Sequence, residues 1–98
     1  MIPGGLTEAK PATPEIQKMV DEVKPQVEEQ TNETYEKFEA VIYKTQVVAG
    51  VNYFVKVQVG DEKYVHLKIF KSLPGGNQHL ELSDVQTDKC KDDELVGF

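Results

Sequence analysis

One thiol, Cys90, and two imidazoles, His66 and His79, are the catalytic-type side chains in this sequence of 98 residues. A thiol within hydrogen-bond reach of an imidazole is a nucleophile–base pair. Cys90, however, lies in Asp88-Lys89-Cys90-Lys91-Asp92-Asp93, a run so charged that it reads as an exposed surface thiol. Two histidines thirteen residues apart with a single cysteine match no zinc spacing. The acidic pairs Glu28-Glu29 and Asp92-Asp93 read as solvated faces. Asn32-Glu33-Thr34 is formally a glycosylation acceptor, without use in a chain that is not secreted. The expectation is a protein that is not an enzyme and uses no metal or cofactor.

Binding is a better match to the residues. Gln46-Val47-Val48-Ala49-Gly50 sits between two segments that both read as strands. Loops between strands are normally polar, because their backbone must be hydrated or bonded. Here the hairpin tip is apolar and uncharged. An exposed apolar tip marks a surface that a partner covers; the alternative is a loop whose valines fold back onto the core. Leu73-Pro74, in the Gly- and Pro-marked connection Ser72–Asn77, is ambiguous in the same way.

These segments need a scaffold, and the length supports one domain only. Apolar residues make 39% of the chain and charged residues 29%, the balance of a folded globule rather than a disordered chain. No run without a polar side chain is longer than Met1 to Leu6, and Val47 to Val51 is shorter still; both are far too short to span a bilayer. The N-terminus has neither the basic segment nor the apolar core of a secretory signal, and a lone cysteine forms no internal disulfide. Both features point to the cytoplasm. Net charge is −6 and all 11 basic residues are lysine, so the planar forks that read guanine edges are missing and nucleic acid is not expected as a partner.

Residues 1–11, with Pro3, Gly4, Gly5 and Pro11, show no periodicity and are expected to be a mobile arm. Thr13-Pro14-Glu15 starts a helix: a capping hydroxyl, proline at the first position, an acid at the positive end. Ile16, Met19, Val20, Val23 and Val27 form one apolar stripe at steps of three and four. The expected helix runs to about residue 35, kinked or split at Pro25. The period then changes to two. Val41-Tyr43-Thr45, Val51 to Val59, Val65-Leu67-Ile69 and Leu80-Leu82-Val85 mark four strands, with His66, Lys68 and Lys71 on the face away from the core. Ile42 and Phe54 break the alternation. The fold class is α+β: a single helix packed on an antiparallel sheet of four main strands. In such a meander, the connections 46–50 and 72–77 lie at the same end.

With these segments in place, the chain resembles the cystatin superfamily, and within it the stefins, or type 1 cystatins. The resemblance runs the whole length through Gly4-Gly5, Ala9-Lys10-Pro11-Ala12-Thr13-Pro14-Glu15, Gln46 to Gly50, Leu73-Pro74-Gly75 and Asp92-Asp93-Glu94-Leu95. It lacks the Trp that follows the second-loop proline in type 2 cystatins. Val51 stands where Thr is more usual in stefins.

The resemblance implies a reversible, tight-binding, non-covalent inhibitor of papain-like cysteine proteases, the cathepsins. It implies a wedge: Ile2, Pro3 and Gly4 of the arm in the non-primed subsites, with Gln46, Val47, Val48, Ala49, Gly50, Leu73 and Pro74 on the primed side. The working form is expected to be a monomer. Strain stored at Val48 would allow the hairpin to open and two chains to exchange the helix and first strand as a domain-swapped dimer.

Overall fold

The computed structural model describes residues 8–48, 50–71 and 80–95, with the side chains of all of these except Val47 and Val48. In chain order they form β1 (Lys10–Pro11), α1 (Pro14–Thr31), β2 (Glu39–Val48), β3 (Gly50–Gln58), β4 (Tyr64–Lys71) and β5 (Leu80–Lys89). The strands make one antiparallel sheet in the order β1-β2-β3-β4-β5, with α1 across one face. This is the α+β class expected. The sheet has five strands rather than four because Lys10 and Pro11 pair with Tyr43 and Ile42. The end of the arm assigned to residues 1–11 is thus an edge strand, fastened further by Ala12 N–H donating to the Val41 carbonyl at 3.0 Å.

The start of α1 follows its sequence signals. The Thr13 hydroxyl accepts from Ile16 N–H at 3.3 Å, Pro14 opens the first turn and Glu15 lies in it. All five stripe residues are buried. The helix ends at Thr31, short of residue 35. Asn32 adopts a left-handed backbone (φ 59°) and returns its N–H to the Glu28 carbonyl, closing the helix. The Glu28 carboxylate then takes the Tyr35 N–H at 2.8 Å, and the Tyr35 ring stacks on Phe38 at 5.7 Å between centroids, in the core rather than on a further helical turn. Nor does Pro25 split the helix. It lies on the exposed side, where water can serve the Asp21 carbonyl that has lost its donor.

Val55, Val57, Val65, Leu67, Ile69 and Leu82 meet the helix stripe to form the core. Two bulges correct the strand phases read from sequence. Val57 pairs with Ala40 and Lys56 with Ile42, which leaves Val41 as an extra residue, 37% exposed. The core-facing residues of β2 are therefore Ala40 and Tyr43, not Val41 and Tyr43. In β5, Leu82 pairs with Ile69 and Asp84 with Lys68. The extra Ser83 carries both Leu82 and Val85 to the helix side despite their odd spacing, and the strand extends to Lys89.

The far face of the sheet is not simply solvent. Phe54 is 1% exposed, and Lys56, Tyr64 and His66 are buried there, alongside Leu95 from the C-terminal segment. The Lys56 ammonium donates to the Lys91 carbonyl at 2.8 Å and the Asp93 carbonyl at 2.5 Å. The C-terminal segment thus covers a second, smaller cluster, which includes the Lys56 and His66 that alternation placed away from the core.

Candidate protein-binding edge

The pairing of β2 with β3 continues to the tip: Gln46 opposite Asn52, Val47 opposite Val51, Val48 opposite Gly50. Only position 49 separates the two strands. The hairpin is a continuous ladder rather than a loose loop. Just below the tip, Asn52 Nδ2 donates to Gln46 Oε1 at 3.2 Å, tying the strands by side chains as well.

Gly50 is buried although it stands at a hairpin tip. Its φ of +128° is a conformation that side chains rarely permit. Space is short too. A Cβ added there would lie 2.7 Å from the Lys71 carbonyl oxygen and 2.8 Å from Cζ of Phe70. Val48, where strain was expected, has no left-handed φ; among the described residues the non-glycine cases are Asn32 and Asp88.

The contact with Lys71 matters for the layout of the edge. Lys71 is the last residue of β4 and pairs with Val51 on one side and Leu80 on the other. The connection between β4 and β5 therefore leaves and rejoins the sheet beside the tip. Antiparallel pairing of Lys10 with Tyr43 also directs the N-terminal end of β1 toward this end. Gln46, Val47, Val48 and Gly50 are placed in the hairpin, while Ile2, Pro3, Gly4, Ala49, Leu73 and Pro74 lie outside the described residues. Nearby, burial lifts the Tyr53 phenol above its ordinary pKa, with Tyr43 and Glu15 adding to the effect.

The catalytic alternative fails on geometry. His66 is sealed within the far face at 0% exposure, and neither ring nitrogen has a hydrogen-bond partner among the described residues. Cys90 is exposed, its N–H donating to the Asp93 carboxylate at 2.7 Å. His66 is therefore not the base of a thiol nucleophile, and His79 lies outside the described residues. Among the described residues, no group of three or more His, Cys, Asp or Glu side chains is arranged to hold a metal, and no helix is long and apolar enough to cross a membrane.

A model of the cystatin domain matches residues 4–92. The chain belongs to the cystatin family. It is 72% identical to Cystatin-A of Homo sapiens and 66% identical to Cystatin-A of Felis catus, in both cases over the whole of each chain. It is also 61% identical to Leukocyte cysteine proteinase inhibitor 1 of Sus scrofa, covering all of this chain and 95% of that protein. Within the cystatins it falls in the type 1, or stefin, branch with the Cystatin-A proteins, and it is not an enzyme.

Sequence reasoning did not find Phe70 and Lys71 as the neighbours that confine Gly50. A large aromatic at an even position, where the far face was read as polar, was the available signal.

Proposed function

We propose that this cystatin is a reversible, tight-binding, non-covalent inhibitor of papain-like cysteine proteases, the cathepsins. The observation that carries this reading is the uncharged hairpin Gln46–Gly50, kept in strand pairing to its last residue at the sheet end where the β4–β5 connection also begins. The names of the relatives, cystatins and a cysteine proteinase inhibitor, support it.

The proposed contact residues are Ile2, Pro3 and Gly4 of the arm, Gln46 to Gly50 of the first hairpin, and Leu73 and Pro74 of the second. A protease cleft is concave and lined by backbone groups and apolar subsites. Small, uncharged residues let the hairpin backbone approach its walls closely. A hairpin already held by its ladder loses little freedom on docking, and so retains more of the contact energy as affinity. The protease itself carries the nucleophile, and the hairpin need present no scissile bond in attack geometry, so inhibition proceeds by occlusion. An interface of roughly 1,600 Å² would suffice. The same proposal makes the working form a monomer and its place the cytoplasm, in keeping with the lone thiol of Cys90.

Titration of papain and a panel of cathepsins with the folded protein tests the reading. Stoichiometric, reversible loss of turnover is expected, with full recovery on dissociation. Undiminished turnover in a large excess of folded protein would end it.

A further inference from the structure

Phe70 lies on the far face of β4, between Asn52 of β3 and Glu81 of β5 in the register. It is half-buried and belongs to neither the helix-side core nor the fully buried group around Phe54. Gly50 precedes Asn52 by two residues on β3, so Phe70 and Gly50 are diagonal neighbours on one face. The ring fills the space a side chain at position 50 would take: Cζ and Cε1 come within 2.8 and 2.9 Å of where that Cβ would be.

An aromatic ring laid over a strand glycine covers backbone that would otherwise be hydrated, and limits the φ/ψ freedom glycine has in excess. Here that glycine stands one residue from the turn of the apolar hairpin, with the Lys71 carbonyl oxygen 2.7 Å from the same Cβ position. A ring and a backbone carbonyl thus together close off the space beside Gly50. The backbone of Gly50 is confined by this packing as well as by the ladder.

We propose that Phe70 is a positioning residue for the hairpin tip: its ring, seated on Gly50, fixes the direction of the tip and so its fit to the protease. It makes no contact with the protease itself. The inference rests on the inhibitory reading above, but its structural half does not.

The test uses the full chain with Phe70→Ala, Phe70→Leu and Phe70→Tyr. Papain dissociation constants and rates, thermal midpoints, and amide order parameters at Val47, Val48 and Gly50 are measured for each. Phe70→Ala should weaken papain binding roughly 10- to 100-fold, chiefly by faster dissociation, and should lower the order parameters of the tip. Phe70→Tyr should restore both, and Phe70→Leu should fall between. A residue with a purely structural role would move the thermal midpoint and leave the affinity of the folded fraction unchanged. Wild-type affinity and tip order in folded Phe70→Ala would overturn the proposal. If the wild type fails to bind papain, the inhibitory reading fails instead, and the order parameters still decide whether Phe70 positions the tip.

Discussion

Lys56 and His66 are direct cross-strand partners on β3 and β4, both buried on the side of the sheet away from the helix. Lys56 is satisfied by the carbonyls of Lys91 and Asp93, whereas His66 has no hydrogen-bond partner among the described residues. A cation beside an unpaired imidazole in a dry site makes protonation of that imidazole unfavourable.

The first prediction is a dependence of stability on pH. Burial, then the neighbouring charges of Lys56 and Lys89, lower the His66 pKa to about 4, against the weaker opposing effect of Asp93. Unfolded, the imidazole titrates near its ordinary value of about 6.5. Above that pH neither state holds the proton and stability is full. Between 6.5 and 4 the unfolded chain binds more protons, so stability falls as pH falls, by about 3 kcal/mol in all. Urea unfolding from pH 7 to pH 4 should show this slope, and His66→Leu should flatten it. Equal slopes in both proteins would refute the assignment to His66.

Gln17 clamps the start of β2. Its amide donates to the Phe38 carbonyl at 3.0 Å, and its side-chain oxygen accepts from Ala40 N–H at 2.8 Å, beside the Val41 bulge. Gln17→Ala leaves both backbone groups without that partner. The expected loss is roughly 1–3 kcal/mol, read by denaturant midpoint at unchanged slope. Gln17→Glu, which keeps the acceptor and loses the donor, should cost part of this.

Deleting residues 1–5 should separate binding from folding. Sheet pairing begins at Lys10, so the deletion leaves β1 and its bond from Ala12 intact. Protease dissociation should accelerate while the thermal midpoint stays within about a degree of the parent, since no described core contact is removed. A large fall in the midpoint would show that the arm is part of the fold.

Exchange of α1 and β2 between two chains requires β2 and β3 to merge through the tip. A dimer made this way, isolated after heating, should inhibit papain only weakly because its tips are straightened. Val48 has no left-handed backbone to supply the driving strain; among the described residues of the tip, Gly50 has the positive φ. A dimer with full inhibitory power would contradict the prediction.

The helix and its stripe were legible because Ile16, Met19, Val20, Val23 and Val27 follow one period without interruption, with a strong cap at Thr13. The helix end was not, since it depends on the left-handed turn at Asn32 and on the Glu28 carboxylate taking the Tyr35 N–H, neither of which periodicity marks. Alternation located every main strand but misplaced Val41, because a bulge adds a residue without any local sequence mark. Phe54 stood out by breaking the alternation, but the burial of Lys56 and His66 escaped notice for a related reason: the segment covering this face arrives from the far end of the chain. At the candidate edge, the hairpin was visible as misplaced hydrophobicity. Its support by Phe70 was not, as diagonal contacts between strands appear only once the register is known.

The irregular outer border of β5 has a consequence for assembly. Its Ser83 bulge, the left-handed Asp88, and the Gln26 side-chain oxygen that takes the Leu82 N–H at 3.2 Å all break up the row of groups a docking strand would need. Exposed Glu81, Asp84 and Asp88 add negative charge along it. Copies of the chain crowded together therefore find no template here for stacking into fibrils by simple addition, and growth along this border would first have to dismantle the helix contact that guards it.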